Sequence, residues 1–352
     1  MRKLKVRREE REQRLNKYLL RKMPEAPSSF IYKMLRKKNI TLNGKKASGS
    51  ELLQEGDLVT LFLSDETILK FGGTAADENA PEEASAKRQD EEREMREFLS
   101  AFRAIGGRIG KSGILYEDGN ILAVRKPVGV LSQKSLPSDM SMNEWLVGYL
   151  LDEGKVSAAS IRQFRPSVCN RLDRNTGGIL LCAVSLQGAR KMAQLLRDRS
   201  LRKFYQAVVV GRMESAGRIE GYLEKDHAAN AVSFTGEKSP DRESARKEGV
   251  YTKTLYRPLL TGEKFSLMEM ELITGKTHQI RSHLAAAGHP IAGDPKYGDT
   301  GLGRQIREEY GIRGQMLWCS RIEFPRMEEE FEALSQRVIT CDPPALYHEM
   351  IK

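Results

Sequence analysis

Asp173 stands between two permanent cations in the run Arg171-Leu172-Asp173-Arg174-Asn175-Thr176-Gly177-Gly178. The next residues, Ile179 to Val184, form a short apolar run that reads as a buried strand. A carboxylate at the edge of a core, beside guanidiniums, is expected to be ionised at neutral pH, because a nearby positive charge favours its charged form. Such a group can be a nucleophile, a general base or only one half of a loop ion pair. These eight residues leave the three roles open.

The other chemistry-bearing types are more dispersed. Cys169, Cys182, Cys319 and Cys341 show no Cys-x-x-Cys spacing, so neither a zinc site nor a disulfide framework is expected, and a reducing compartment fits. His278, His283 and His289 are five and six residues apart, which puts them on different sides of a helix and its exit. No metal is expected there.

The chain must hold Asp173 on something, and 352 residues suffice for two domains. From residue 111 it is strand-rich: 114–116, 120–124, 178–184, 205–210 and 265–273, with helices expected at 141–152, 186–200 and 277–287. That order is not a regular alternation of strand and helix. It predicts an α+β domain over 111–352 with a mixed, largely antiparallel sheet. Residues 65–110 are poor in large apolar side chains and carry Gly72-Gly73, Ala75-Ala76 and Asn79-Ala80-Pro81-Glu82-Glu83. This is a linker composition, with a possible charged helix at 87–104 marked by Met95, Phe98, Leu99 and Phe102.

The first residues differ again. The chain carries a net charge of +10, yet residues 1–50 hold 16 Lys/Arg against 4 Asp/Glu, so the remainder is slightly acidic. A concentrated basic face is the electrostatic footprint of a phosphate backbone. Leu15, Tyr18 and Leu19 repeat at helical spacing. After Pro24 and Pro27, a cap at Ser28 or Ser29 would start a second helix, with Phe30, Ile31, Met34 and Leu35 inside and Lys33, Arg36, Lys37 and Lys38 outside. Ile40-Thr41-Leu42 leads into the tight-turn signal Asn43-Gly44, and a strand is expected at 58–63. Residues 12–64 thus read as a small α/β module. No apolar run approaches the ~20 residues that span a bilayer, and the chain's start lacks a signal-peptide core, so a cytoplasmic protein without membrane association is expected.

The basic module, on Ser29 to Lys38 and Thr41 to Lys46, resembles the S4-like RNA-binding domain. Four segments of the larger domain, in order, resemble the RluA-type pseudouridine synthases. They are Leu115 to Val130, the Asp173 motif, Lys203 to Val209, and Thr274 to Leu284 running on to Gly288-His289-Pro290-Ile291-Ala292-Gly293-Asp294. The resemblance implies an enzyme that isomerises uridine to pseudouridine in RNA without cofactor or metal, after flipping the base out. Asp173 falls on the family's catalytic Asp, Tyr205 on the active-site Tyr that stacks on the base, and Arg281 on the Arg that pairs with the Asp. Ile280 matches an apolar wall against the base, and Arg171 the residue pushed into the stack where the nucleotide was. Arg174 supports loop or phosphate contacts; Lys33, Arg36, Lys37 and Lys38 would grip RNA. The implied partner is large-subunit ribosomal RNA and the expected state a monomer, with a transfer-RNA enzyme or a silent RNA-binding assembly protein as alternatives. Two letters depart from the family pattern. Asn170 stands where His is common, and Gly177 where Ser is usual, a change expected to cost a hydroxyl and some loop rigidity.

Overall fold

The amphipathic stripes of the basic segment close on one another in the computed structural model, which describes residues 1–72, 81–226, 231–237, 239–298 and 300–351. The stretch 73–80, which carries much of the linker composition, lies outside the described residues. The chain separates into two compact units: residues 1–97 with 150–165 and 185–187, and residues 98–149, 166–184 and 188–352.

In the first unit, β1 (Arg2–Lys5) precedes α1 (Leu15–Lys22) and α2 (Ser28–Arg36), followed by β2 (Ile40–Leu42), β3 (Lys45–Lys46), β4 (Leu58–Leu61) and α3 (Asp65–Lys70). Leu15, Tyr18 and Leu19 of α1 and Ile31, Met34 and Leu35 of α2 are buried in one core with Ile40, Val59 and Leu61. Lys33, Arg36, Lys37 and Lys38 are exposed. Asn43 and Gly44 both take positive φ, 51° and 75°, as the tight turn between β2 and β3 requires. The sheet runs β1-β4-β2-β3. Two details differ from expectation. Pro27, not a serine, occupies the α2 N-cap, without a side-chain capping bond; its extended backbone (φ −58°, ψ 141°) leads into the helix directly. And β1, among basic residues that show no apolar run, pairs antiparallel with β4.

Helix α4 (Pro81–Ile109) is longer than the expected charged helix, and its C-terminal half buries Phe98, Ala101, Ile105 and Ile109. Gly148 allows the close approach: a Cβ there would lie 2.2 Å from the Phe98 carbonyl oxygen. The second unit is built on β5 (Ile114–Glu117), β6 (Ile121–Lys126), β7 (Ser167–Val168), β8 (Gly177–Ala183), β9 (Arg202–Val210), β10 (Gly217–Asp226), β11 (Ala231–Gly236), β12 (Val250–Thr261), β13 (Phe265–Leu272), β14 (Leu317–Glu323) and β15 (Val338–Thr340). Helices α5 (Met142–Asp152), which runs on into the first unit, α6 (Ala158–Gln163), which belongs to the first unit, and α7 (Leu186–Arg197), α8 (Arg242–Glu248), α9 (Gln279–Ala286), α10 (Thr300–Tyr310) and α11 (Leu346–Glu349) intervene along the chain. The sheet order is β11-β10-β12-β13-β9-β14-β8-β6-β5, with β15 on β14 and β7 on β8. Of the strand pairs among the described residues, β14 with β8 is parallel and the others are antiparallel, so the mixed, largely antiparallel sheet is found.

At that parallel seam the unusual Gly177 has a reason. It faces Trp318 in register, and a Cβ on it would lie 2.2 Å from the indole ring. Glycine here makes room for a large aromatic; its φ is not in the left-handed region, so loop rigidity is not the issue. Gly178 does need its freedom, with φ +102° and a Cβ position 2.2 Å from the Cys319 carbonyl oxygen. Gly177→Ser should therefore overpack the seam and lower stability by about 1–3 kcal/mol. Thermal melting checks this. The loss should shrink when Trp318→Leu is combined with it, and additive losses would refute the packing account.

Candidate active site

The segment between β7 and β8 is tied down before it reaches Asp173. Asn170 Nδ2 donates to Ile179 O (3.4 Å) and its Oδ1 accepts from Leu181 N–H (2.7 Å), so this side chain extends the edge of β8. Ser132 bonds the Leu172 backbone twice, accepting from its N–H at 3.0 Å and donating to its carbonyl at 2.8 Å. Thr176 N–H closes a turn onto Asp173 O at 3.0 Å. Asn170 thus fills its unusual position by serving backbone, with no need of a titrating ring.

Lys126, at the end of β6, completes the anchoring. Its fully buried ammonium donates to Thr176 O (2.8 Å), Arg174 O (3.1 Å) and Pro127 O (3.2 Å), spanning the Asp173 turn from below. Burial pushes this lysine down to about 7, against the attraction of Asp173 and with help from Arg108. The unfolded chain keeps its proton up to 10.5, so between these values the unfolded state binds more protons and stability rises with pH. The contribution is up to roughly 1.4 kcal/mol per pH unit. In urea titrations at pH 7, 8 and 9, wild type should gain on Lys126→Met as pH rises; a constant difference would refute the assignment.

Opposite this turn, the segment from Thr274 leads into α9. Gln279 is buried and fully used: its Oε1 accepts from Thr274 Oγ1 (2.9 Å) and Lys276 N–H (3.2 Å), and its Nε2 donates to Lys253 O (3.1 Å) and Thr254 Oγ1 (3.0 Å). With the helix start pinned to β12, Arg281 on the first turn points at two carboxylates. Its Nη1 donates to Asp173 Oδ2 at 2.9 Å, while Nε and Nη2 grip Asp294 at 2.7 and 2.9 Å. The Asp294 side chain is 0% exposed. Burial raises its pKa, but the bonds and charge of Arg281 outweigh that and hold it below the ordinary carboxylate range. Asp294 also accepts from Lys296 and Tyr297 N–H, which sets the Tyr297 ring 5.1 Å from the guanidinium carbon of Arg281. The ion-pair partner of Asp173 is therefore Arg281, 108 residues away, and not the flanking Arg171 or Arg174.

A cavity of about 960 Å³ opens over this cluster. Tyr205 on β9 and Ile280 on α9 line it, both nearly buried. Burial, reinforced by Cys319 and Asp173, raises the Tyr205 phenol well above its ordinary value, so it stays protonated at neutral pH. Arg171, Arg174, Arg197, Arg199, Lys203 and Lys276 add cations to the wall, and Asp173 is the sole carboxylate among its described residues. Arg171 is exposed and makes no ion pair among the described residues; the backbone carbonyl of Arg174 is held by Lys126 and by Gly129 N–H at 2.8 Å. Four residues singled out from the second domain's motifs, Asp173, Tyr205, Ile280 and Arg281, meet in one cavity with Arg171 and Arg174. Lys33, Arg36, Lys37 and Lys38 belong to the first unit and are no part of it.

Lys126 and Asp294 are site residues that the sequence does not mark out as such. A lysine closing the apolar run Ile121 to Val124 is the available signal for the first. For Asp294 the signal is its place at the end of the fourth motif segment, which does not say that Arg281 is its partner. The histidines part company. His278 reaches the Tyr297 hydroxyl (3.0 Å), His283 meets Thr252 Oγ1 (2.9 Å) in the core, and His289 meets Val210 O (3.0 Å).

An electropositive cleft with one carboxylate clamped at its floor can bind a polyanion and stabilise positive charge developing on a sugar. A family model described as RNA pseudouridylate synthase matches residues 120–286. The chain is 35% identical to ribosomal large subunit pseudouridine synthase D of Borreliella burgdorferi over 53% of its length and 54% of that protein's, so it spans about half of that relative. With tRNA pseudouridine synthase C of Salmonella typhimurium the identity is 34%, over 60% of this chain and 78% of that one. Proteins named ribosomal large subunit pseudouridine synthase C, from Vibrio species and Escherichia coli, match 82–91% of the chain at 25–27% identity. Among solved structures, Human RNA Pseudouridylate Synthase Domain Containing 4 is similar in fold, with a TM-score of 0.53 at 22% identity, covering 71% of this chain and 94% of that one.

Proposed function

The chain belongs to the RNA pseudouridylate synthases, which isomerise uridine within RNA, and we propose that it acts on large-subunit ribosomal RNA with Asp173 as its catalytic carboxylate. One observation carries the assignment of Asp173: it is the sole carboxylate among the described residues of the cavity wall, and the fixed guanidinium of Arg281 keeps it oriented. In the reaction the bond from N1 to C1′ breaks, the uracil turns, and C5 bonds to C1′; the C5 proton is lost and N1 gains one. The negative charge of Asp173 suits either attack or stabilisation of the positive charge that the ribose develops as N1 departs. Tyr205, protonated and walled in by the sheet, offers a ring face for the base and a neutral hydroxyl. Arg171, exposed at the rim, has the flat cation that fills the place of an extruded nucleotide, whose unstacking costs a few kcal/mol.

The choice of ribosomal RNA rests on coverage. A match over 91% of the chain necessarily takes in most of the basic first unit, whereas one over 60% does not have to. We read that unit as an S4-like RNA-binding module whose Lys33, Arg36, Lys37 and Lys38 face the phosphates. Incubation of purified protein with 23S ribosomal RNA and with bulk transfer RNA, followed by mapping of pseudouridine, separates the two substrates. Modification confined to transfer RNA would overturn the proposal in favour of the second reading. Changing those four cations to Ala should weaken RNA binding and flatten its dependence on log salt concentration, by a slope of up to about 3–4. An unchanged slope would remove the module from the interface.

A further inference from the structure

His278 lines the cavity beside Asp173 and has no part in the reaction assigned to Asp173, Tyr205 and Arg171. It precedes α9 in a left-handed conformation (φ 54°), and its side chain is 12% exposed. Its Nδ1 lies 3.0 Å from the Tyr297 hydroxyl, and its Nε2 lies 3.8 Å from Asp173 Oδ2, too far for a hydrogen bond.

The protons on this chain of groups can be placed. Tyr297 Oη accepts from Val232 N–H at 2.9 Å. Its single hydrogen then has one acceptor among the described residues, His278 Nδ1. An imidazole that accepts at Nδ1 carries its proton on Nε2 when neutral. The groups facing the ring are Arg281 and Lys296, which oppose a positive charge, and Asp173 and Asp294, which favour one. Burial is the largest influence, and together these hold the imidazole below its ordinary range. A neutral ring thus points a donor, Nε2–H, into the same space as the carboxylate of Asp173.

We infer that His278 and Asp173 together hold the 2′-hydroxyl of the target nucleotide, which accepts from His278 Nε2–H and donates to Asp173 Oδ2. The geometry allows it, since one oxygen can sit about 2.8 Å from two atoms that are 3.8 Å apart. The chemistry selects it. The group between an N–H donor and a carboxylate must accept from one and donate to the other. Uracil carbonyls only accept and would face the carboxylate with lone pairs; the N3–H only donates. A hydroxyl does both, and an internal RNA nucleotide has one, on C2′. His278 would then be a substrate-contacting residue that places C1′ against Asp173 and rejects a deoxyribose.

The inference rests on Asp173 being the carboxylate at the target nucleotide, and its test is arranged to fail separately from that reading. Full-length Asp173→Asn protein, which keeps an acceptor at this position and is expected not to turn over, is titrated with a fragment of RNA that the wild type modifies. The fragment carries either uridine or 2′-deoxyuridine at the target position. The deoxy substitution should weaken binding about 3- to 10-fold, the worth of one neutral hydrogen bond. In Asp173→Asn/His278→Ala the two RNAs should bind within about 2-fold of each other, and His278→Gln, which returns an N–H donor, should restore part of the gap. Effects of the deoxyribose on RNA shape cancel in this comparison between proteins. Discrimination unchanged in the His278→Ala protein would overturn the inference. Pseudouridine formed by Asp173→Asn alone would instead overturn the assignment of Asp173.

Discussion

Asp173→Asn is expected to leave the protein folded and RNA-bound while lowering pseudouridine formation at least about 1000-fold, the scale on which removal of a group acting in the transition state is felt. The amide is nearly isosteric, and the turn that carries it is held by other groups. Lys126 grips the carbonyls of Arg174 and Thr176, Ser132 grips Leu172, and Asn170 grips β8. Melting temperature should therefore move little. Arg281 keeps its two bonds to Asp294 and can still donate to the amide oxygen of the substituted side chain. What disappears is the negative charge, and with it both nucleophilicity and the stabilisation of a cationic sugar. The measurement is a time course of pseudouridine in the modified RNA, beside a binding isotherm for the same RNA. Wild-type rates in the variant would end the proposal that this carboxylate does the chemistry.

The second large effect is on stability as well as rate. Arg281→Met removes the partner of Asp294, whose carboxylate is 0% exposed, and leaves it facing only two backbone N–H groups. Breaking a buried pair from one side costs about 3–5 kcal/mol, because the surviving charge stays desolvated. The melting temperature should fall on the order of 10 °C. Arg281→Lys should recover part of the stability but not the activity. An ammonium is a single point of charge, and the guanidinium here serves Asp294 through two nitrogens and Asp173 through a third. Adding Asp294→Asn to Arg281→Met should relieve much of the thermal loss, since the orphaned charge is then gone. If Arg281→Met melts with wild type, the Asp294 pair is not holding α9 to the turn.

How much of this is legible beforehand depends on the kind of information a chain carries. Asp173, Tyr205, Ile280 and Arg281 can be named from motif letters. The core strands β6, β8, β9 and β13 can be read because apolar residues dominate each over strand length. Strands β10 and β12 cannot. β12 has Lys253, Arg257 and Pro258 within it and escapes regular pairing only by a register shift after Pro258; β10 alternates charge with apolar residues on a half-exposed surface. β14 is buried yet holds Ser320 and Arg321, the latter stacked 3.8 Å from the Phe204 ring centroid. Such strands exist because their neighbours supply the hydrogen bonds, and no window along the chain contains a neighbour.

The sequence by itself determined the chemistry's cast: one carboxylate in a cationic setting, an aromatic, an arginine far downstream, and a basic segment ahead of them. Side-chain identity is local, so these can be read from letters. Only the tertiary structure decided which cation is the partner. Arg171 and Arg174 are two residues and one residue from Asp173, yet the ion pair goes to Arg281, because the segment leading into β8 and the start of α9 are each pinned by side-chain hydrogen bonds that aim them at the same point. It also decided that Lys126 sits under the turn, that Asp294 braces Arg281, that Gly177 makes room for Trp318, and that His278 faces the cavity with a proton to give. Charges and shapes act through space at a few ångströms, and the chain brings residues that close only when the sheet is complete.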